Sequence, residues 1–471
     1  MEQAKQSLRD KPLARWGALA LVSLTMFFAY MFVDVLSPLK TLIETELGWD
    51  STVFGLYGGS EFFLNVFVGF LILAGIILDK MGVRFTALLS GSLMVIGAII
   101  KVYALSATFR NGGPGYDAIN SFSQQIHNSF GWNLPPTALC ACLGFMLFGC
   151  GTEMAGVTVS RAIVKWFKGK EMAFAMGVEM SLARFGVFAI FRLSPWLAEK
   201  FESVQAPVIF CALLLCIGLI LYVVYWFMDK ALDKDLDGVE EEEAEEPFKF
   251  SDLGKVFGSG VFWVVAILCV LYYSAIFPFQ KFATEMLHYK VGFDTKDAAA
   301  YFSYFPIGAM FVTPPLGLYL DLKGKGATML ILGSILMIVC HLTFALYPFV
   351  PGSTSSTVIA MSAIVLLGIS FSLVPATLWP SVPKLIDNKV LGSAYSAIFW
   401  IQNVGLMSVP IIIGSILDSV NQGVPEGQPK DYTMAMLVFA SFGVIALLMS
   451  LFLKALDSKK HYGLELPNVQ K

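Results

Sequence analysis

Twelve apolar segments, each long enough to cross a lipid bilayer, constrain the fold of this chain more than any other feature. A helix needs about 20 predominantly apolar residues to span the hydrocarbon core. In chain order, the predicted spans 1 to 12 are residues 16–40, 52–78, 84–108, 135–160, 171–198, 206–228, 258–285, 297–320, 327–349, 356–380, 391–418 and 433–454. The expected fold class is an all-α membrane protein with twelve transmembrane helices, surrounded by the lipid bilayer.

Composition supports a membrane protein and excludes several functional classes. Hydrophobic residues make up 56% of the chain and charged residues 14%, whereas a soluble domain carries about a quarter charged residues. The net charge of −3 provides no basic field for nucleic acid. The seven cysteines lie in apolar stretches, and the chain carries no metal-ligand spacing, cofactor motif or nucleophile–base pair. We therefore expect no enzyme activity, cofactor, metal or nucleic-acid partner.

The distribution of Lys and Arg between the loops predicts the orientation in the membrane. If both termini are cytoplasmic, the inner segments hold 22 of these residues and the outer loops hold 7. Cytoplasmic loops carry an excess of positive charge. The sequence therefore predicts that both termini face the cytoplasm.

The longest polar break divides the chain into two sets of six spans. It predicts an N-terminal half over residues 1–228, a cytoplasmic linker over 229–257, and a C-terminal half with a cytoplasmic tail over 258–471. The linker contains an acidic run at 240–246. We interpret this run as a solvated linker, with a docking surface for a partner as the alternative.

A short motif occurs at the same place in both halves. After span 2 it consists of Gly75, Asp79, Gly82 and Arg84, and after span 8 of Gly317, Asp321, Gly324 and Lys325. The glycines permit a tight turn and close helix contact, and an aspartate at a helix end can bind backbone or a cation. A repeated half of this kind is typical of transporters with a site between the halves. We assign a gating or conformational role to Asp79, Gly82, Arg84, Asp321 and Gly324.

Two charges within the spans are the leading candidates for a binding site. Glu153 in span 4 and Arg184 in span 5 each bear the cost of a charge at bilayer depth. Counting from the loop that joins the two spans, we expect a stagger of roughly 9 Å along the membrane normal. That separation is long for an ion pair and near the distance between the charged ends of a dipeptide. The alternative is a Glu–Arg bridge that closes the N-terminal half.

Other polar residues in the first half are weaker candidates. Tyr30 and Asp34 are four residues apart in span 1 and share a helix face, as do Glu61 and Asn65 in span 2. Asp34 is read as a second substrate carboxylate, a protonatable gate or an interfacial residue. Glu61 and Asn65 are read as cavity lining or as polar packing against span 11. Lys101 is expected near the outer end of span 3.

The candidates in the second half are mostly neutral. They are Tyr272, Tyr273, Gln280, Tyr304, Trp379, Trp400, Gln402 and Asn403. Tyr and Trp offer a large contact area with a polar tip, which suits varied side chains. Asn403 occupies the repeat position that corresponds to Arg184. The alternative for each aromatic residue is ordinary packing within the helix bundle.

Several blocks along the chain resemble the lysosomal dipeptide transporter branch of the major facilitator superfamily. They are Trp166 to Glu171, Ser181 to Arg184, Tyr272-Tyr273, Phe277-Pro278-Phe279, Leu378-Trp379-Pro380, Leu391 to Tyr395 and Ile401 to Leu406. The resemblance implies alternating-access transport of dipeptides, with Glu153 meeting the substrate ammonium and Arg184 its carboxylate. It also suggests transport without coupling, although Glu153 or Asp34 leaves proton symport open.

The sequence also departs from the lysosomal members. It has no acidic dileucine signal in its N-terminal tail and no Asn-x-Ser/Thr acceptor, and it carries a longer loop at Phe109–Leu134. We interpret the chain as a bacterial relative in a cytoplasmic membrane, and the need for an accessory subunit is left open. The alternatives are an organic anion carrier that uses Arg184, and a non-transporting receptor or scaffold that docks partners on the acidic run.

Overall fold

The computed structural model describes residues 7–168, 170–236, 250–425 and 428–467. Eleven helices in these ranges are long and apolar enough to cross a membrane. The first is Pro12–Leu47, of which Pro12–Val33 is the membrane-crossing helix. The other ten are Phe70–Ala104, Pro136–Phe167, Phe174–Lys200, Gln205–Asp235, Gly260–Val291, Thr295–Lys323, Gly326–Leu346, Thr354–Leu385, Leu391–Val420 and Thr433–Lys460. Shorter helices are Lys40–Leu47, Ser51–Ser60, Phe63–Phe67, Ala107–Arg110, Tyr116–Phe130 and Leu253–Phe257. With the interrupted span 2 added, this is the expected all-α fold of twelve spans.

Span 2 is interrupted, whereas the sequence predicts one segment over 52–78. It consists of Ser51–Ser60, Phe63–Phe67 and the first part of Phe70–Ala104. Gly69 separates the last two pieces with a φ of 66°, a left-handed conformation that glycine adopts without steric cost. Apolar composition alone conceals such interruptions, because the backbone groups that they free are satisfied by neighbouring elements.

The first motif forms the bend between spans 2 and 3. Gly82 has φ 76° and ψ 170° inside the stretch Phe70–Ala104. This region of backbone space is open to glycine and strained for other residues. The tight turn expected from the motif is therefore present at Gly82.

The polar break between the halves begins later than residue 229. Span 6 continues to Leu236, and Asp229 is 1% exposed within it. The Asp229 carboxylate accepts hydrogen bonds from Lys165 at 2.8 Å and from the Trp166 indole at 3.1 Å. The acidic run at 240–246 lies outside the described residues.

Small residues allow neighbouring spans to pack backbone against backbone. A Cβ added to Gly97 would lie 2.5 Å from the carbonyl oxygen of Gly144, and one added to Gly186 would lie 2.5 Å from that of Phe27. Close contact through glycine is a common solution in membranes, where apolar burial provides no force between helices. These contacts join spans 3 and 4, and spans 1 and 5, inside the first half.

The two halves pack tightly at the end of the bundle opposite the chain termini, which we call the outer end. A Cβ on Gly55 of span 2 would lie 2.1 Å from the carbonyl oxygen of Pro410 in span 11. One on Gly59 would lie 2.2 Å from that of Met407. Spans 2 and 11 therefore touch through their backbones, and the outer end is closed here.

Ion pairs cross between the halves at the same end, and one of them is fully buried. Lys40 and Glu285 are both fully buried, with 2.5 Å between Nζ and Oε2. Lys430 lies 2.5 Å from Glu44. Opening the outer end would separate these charges and replace each partner by water.

The C-terminal tail packs across the loop that carries the second motif. Leu464 and Glu465 accept backbone hydrogen bonds from Gly326 and Lys325, at 3.0 and 3.1 Å. The Glu465 carboxylate accepts from the backbone and hydroxyl of Thr328, at 2.8 and 3.0 Å. The tail therefore fixes the turn between spans 8 and 9.

We expect Glu465→Ala to lower the thermal stability of the purified protein. The substitution leaves the Thr328 backbone N–H without its acceptor, a loss of about 1–3 kcal/mol. A melting curve in detergent, compared with the exposed control Glu46→Ala, measures the difference. Equal melting temperatures for the two variants would show that the tail contact contributes nothing to stability.

Candidate functional site

Glu153 and Arg184 lie in neighbouring spans of the first half, as the sequence predicts. In the described part of the chain, neither side chain forms an ion pair or a hydrogen bond. A direct bridge between the two residues, the alternative considered from the sequence, is therefore absent from this conformation. Both groups retain their full capacity to bind a charged ligand.

Aromatic rings of the second half surround the Arg184 guanidinium. Its central carbon lies 4.4 Å from the ring centroid of Phe371 in span 10 and 5.8 Å from that of Phe277 in span 7. Ring faces attract a cation and leave the guanidinium N–H groups free to donate. Arg184 is therefore positioned between the halves and held by both.

Tyr30 lies within electrostatic range of both charges. It lies close enough to interact electrostatically with Arg184, Glu153, Glu179 and Glu61. Glu179 lies on a different helix face from Arg184 but within electrostatic range of it. One cation and three carboxyl groups therefore act electrostatically on the Tyr30 hydroxyl.

Tyr273 and Trp379 face this group from the second half. The Trp379 indole donates a hydrogen bond to the Tyr273 hydroxyl at 3.1 Å, and its ring stacks on Phe399 with centroids 4.6 Å apart. Tyr273 interacts electrostatically with Arg184 and Tyr30. These two aromatic candidates are brought to the charged group as expected.

Asp34 lies in a contact between the halves. It is 2% exposed, and Lys281 of span 7 lies 3.0 Å from its carboxylate. Gln280 donates to the same carboxylate, and the Ser37 hydroxyl donates at 2.9 Å. In the sequence, Lys281 lies four residues before the predicted end of span 7. Its partner on span 1 becomes apparent only when the spans are packed.

Glu61 and Asn65 are buried where span 2 is interrupted. Their exposures are 6% and 1%. Neither Glu61 Oε2 nor the side-chain N and O of Asn65 has a hydrogen-bond partner in the part of the chain that the structure describes. A Cβ on Gly149 of span 4 would lie 2.0 Å from the Glu61 carbonyl oxygen. Unpartnered buried polar atoms are rare and call for an explanation.

Lys101 lies in the last turn of span 3, near the outer end as expected, and it is deeply buried there. It is 0% exposed, and its ammonium lies 4.2 Å from the ring of Phe32, 4.5 Å from Phe145 and 5.0 Å from Tyr57. Among the described residues, Nζ has no hydrogen-bond partner. The three ring faces supply the stabilisation that an anion would otherwise provide.

Two tyrosines predicted to line the site lie elsewhere. The Tyr272 hydroxyl donates to the Leu330 carbonyl at 2.6 Å and contacts Ser334, so it points into the second half. Tyr304 lies under Arg192, whose guanidinium is 5.3 Å from the ring. Sequence alone cannot tell which face of an apolar helix meets the cavity, because both faces are apolar.

The amides of span 11 are buried near the boundary between the halves. Gln402 accepts a hydrogen bond from the Cys269 thiol at 3.1 Å. The Asn403 side-chain nitrogen is buried without a partner in the described ranges. Trp400 donates to the Val66 carbonyl at 2.9 Å, so it joins span 11 to the interrupted span 2.

The first motif forms ion pairs at the inner end, where the chain termini lie. Asp79 accepts from Arg161 at 3.0 Å, and Arg84 lies 2.6 Å from Asp233 and 3.9 Å from Asp229. These bonds tie the turn to spans 4 and 6 of the same half.

In the second motif, Asp321 lies in the last turn of span 8, and Gly324 has a φ of 73°. A Cβ on Gly324 would lie 2.4 Å from the Leu466 backbone. The tail contact therefore requires glycine at this position.

A separate cavity of about 620 Å³ opens at the outer end. Its lining includes Pro38, Pro195, Glu199, Asp294 and Lys296, and it contains neither of the two leading charges. It is therefore distinct from the group around Tyr30.

Comparison with known proteins agrees with this architecture. The Major Facilitator Superfamily profile matches residues 22–410. The chain is similar to the lysosomal dipeptide transporter MFSD1 of Homo sapiens, with 28% identity over 403 residues that cover 83% of this chain and 78% of the relative. It is also similar to the probable sulfoacetate transporter SauU of Cupriavidus necator, with 23% identity and coverage of 95% and 96%.

A solved structure shares the fold. It is a bacterial homologue of the human lysosomal transporter Spinster in an inward-facing, unoccupied conformation, with a TM-score of 0.67. The sequences are 13% identical, and the match covers 98% of this chain and 99% of that one. The chain is a multi-pass integral membrane protein and belongs to the Major Facilitator Superfamily of transporters.

Proposed function

We propose that this chain is a secondary transporter of short peptides, above all dipeptides, working by alternating access. Its expected location is a bacterial cytoplasmic membrane with both termini cytoplasmic. The observation that carries the proposal is the pair Glu153 and Arg184. They are opposite charges inside the membrane, and neither has an ionic partner in the described ranges.

A zwitterionic substrate supplies both missing partners. An unpaired charge in a span costs roughly 2.5–3.5 kcal/mol on insertion scales. The substrate ammonium would neutralise Glu153, and its carboxylate would receive a charge-assisted, bidentate contact from Arg184. A dipeptide is neutral overall, so one substrate satisfies both sites at once.

The remaining residues have supporting roles in this proposal. Tyr273 and Trp379 receive the substrate side chains, because large aromatic surfaces bind varied groups without a fixed geometry. Tyr30, Asn65, Gln402 and Asn403 supply polar contacts. Tyr272 and Tyr304 are left out because their side chains point elsewhere, and Asp34 and Glu61 belong to the closed outer end.

Alternating access requires the halves, residues 1–228 and 258–471, to rock about this site. In the conformation described, spans 2 and 11 touch at Gly55 and Pro410, so the substrate would exchange at the inner end. We propose that Asp79, Gly82, Arg84, Asp321 and Gly324 brace the inner ends of each half during this motion.

A second candidate function is an organic anion carrier. The resemblance to a probable sulfoacetate transporter favours it, and Arg184 would bind the anion. Such a carrier has no use for a carboxylate at Glu153. Full transport by Glu153→Gln, together with loss in Arg184→Ala, would favour the anion carrier over the peptide transporter.

The remaining alternative, a receptor or scaffold, belongs to another class. It predicts no solute flux and loss of partner binding when residues 240–246 are deleted.

A thermal-shift screen of the detergent-purified protein tests the peptide proposal. The ligands are amino acids, di-, tri- and tetrapeptides, and small dicarboxylates. A ligand at 100 times its dissociation constant stabilises the folded state by about 2.7 kcal/mol. We expect stabilisation by dipeptides that is lost in both Glu153→Gln and Arg184→Ala and kept in the exposed control Glu46→Gln. Stabilisation by dicarboxylates alone would contradict the peptide proposal.

A further inference from the structure

Glu61 is a buried carboxyl group without an ionic partner, and the proposed transport mechanism does not use it. Its Oε2 is buried and has no hydrogen-bond partner within the described ranges. It follows directly after Ser51–Ser60, the piece of span 2 that contacts span 11 through Gly55 and Gly59. It is therefore placed at the hinge end of the element that closes the outer end.

Charged or titratable groups on five spans lie within electrostatic range of Glu61. They are Lys281 on span 7, Asp34 and Tyr30 on span 1, Glu153 on span 4, Lys101 on span 3 and Tyr57 on span 2. Two of them, Lys281 and Lys101, are cations, so the contacts that these two side chains make decide whether Glu61 has a counter-ion.

Both cations are engaged elsewhere. The Lys281 ammonium donates to the Asp34 carboxylate and to the Val33 carbonyl, each at 3.0 Å. The Lys101 ammonium lies over three aromatic rings, with Phe32 nearest at 4.2 Å. No hydrogen bond from either cation reaches Glu61 in the described structure. An ionised Glu61 would thus be a buried charge without a donor, which is costly, and protonation removes that cost.

Closure of the outer end creates this environment. Lys281 belongs to the second half, and its side chain lies against span 2, with Cγ 3.6 Å from a Cβ built on Gly58. When the halves separate at this end, Lys281 leaves Asp34 and water reaches the place that it occupied. A hydrated Glu61 beside water can ionise, as an ordinary carboxyl group does at neutral pH.

We propose that Glu61 is a proton-binding site and that the outer end closes over its neutral form. Closure then takes up one proton from water onto the Glu61 carboxylate, and opening returns it. Because the closed state binds the extra proton, acid favours closure and alkali favours opening. For one proton, the ratio of closed to open molecules changes by up to tenfold per pH unit. The inference does not depend on which solute is carried.

Distance measurement between spin labels at the outer end tests the proposal. The labels are attached at Thr45→Cys and Val424→Cys, two exposed positions on different halves. Cys216 is replaced by alanine, since the other six native cysteines are buried. Samples of the full chain in nanodiscs without substrate are frozen between pH 5 and pH 8.

We expect the short-distance population to rise as pH falls and to be large and independent of pH in Glu61→Gln. The matched control is Glu46→Gln, an exposed outer-end glutamate, which should keep the wild-type pH dependence.

Two results would overturn the proposal. They are a wild-type distance distribution that does not change with pH, and a Glu61→Gln variant that keeps the wild-type pH dependence. The pH dependence of the wild-type distances can contradict the proposal without any variant, so the test does not require that Glu61→Gln folds. Failure of the dipeptide screen would leave both measurements interpretable.

Discussion

Arg184→Ala is expected to reduce dipeptide uptake into proteoliposomes by roughly 30-fold to several-thousand-fold. Truncating one partner of a buried, hydrogen-bonded charge pair costs about 2–5 kcal/mol, and each 1.4 kcal/mol corresponds to tenfold. The Phe371 and Phe277 rings that hold the guanidinium remain in place. Arg184→Lys keeps the charge but loses the planar fork, so we expect an intermediate loss.

Modified ligands separate binding from structural damage. A dipeptide amide lacks the carboxylate that Arg184 is proposed to bind. It should therefore be a weak substrate of the wild-type protein, and Arg184→Ala should reduce its uptake only slightly further. An N-acetylated dipeptide lacks the ammonium and should behave in the same way with Glu153→Gln. If Arg184→Ala weakened the free dipeptide and its amide by the same factor, Arg184 would be a structural residue.

Gly55→Ala is expected to shift the protein toward an open outer end and to slow transport. The added methyl would lie 2.1 Å from the Pro410 carbonyl oxygen, a distance that backbone atoms cannot accept without moving. Overpacking of this kind costs about 1–3 kcal/mol. Because the clash exists only when the outer end is closed, the closed-to-open ratio should fall by roughly 5- to 150-fold.

The spin-label pair at Thr45→Cys and Val424→Cys measures this shift directly. A suitable control is Gly308→Ala in span 8, where a Cβ meets nothing within 4 Å. It should keep the wild-type distances and uptake rate. A short-distance population in Gly55→Ala equal to that of the wild type would show that spans 2 and 11 can adjust without separating.

The long apolar runs were sufficient to predict the fold class and the number of spans. In a bilayer the backbone must satisfy its own hydrogen bonds, so a long apolar run leaves few choices besides a helix. The interruption of span 2 was not predictable in the same way. The glycines at 58 and 59 weaken the helix, but the close contacts of Gly55, Gly59 and Gly149 with other spans exist only in the packed bundle.

The candidate site shows the same division. Glu153 and Arg184 were identifiable from the sequence because charges within apolar runs are costly and therefore conspicuous. The partners of such charges could not be identified from the sequence. Lys281 and Asp34, for example, are 247 residues apart and meet only across the two halves. Tyr272 and Tyr273 are adjacent in the sequence, yet one points into the second half and the other toward Arg184.

The sequence by itself determined that the chain lies in a lipid bilayer, that it has twelve spans in repeated halves, and which charged residues lie within those spans at an energetic cost. These properties follow from composition and spacing, which act on each segment separately. Tertiary structure alone decided that the outer end is closed, that Asp34 binds Lys281, that Lys101 is enclosed by three rings, and that Glu61 lacks a partner. Each of these depends on which helix faces meet, and in apolar helices that choice is made by the packing of small residues and the pairing of distant charges.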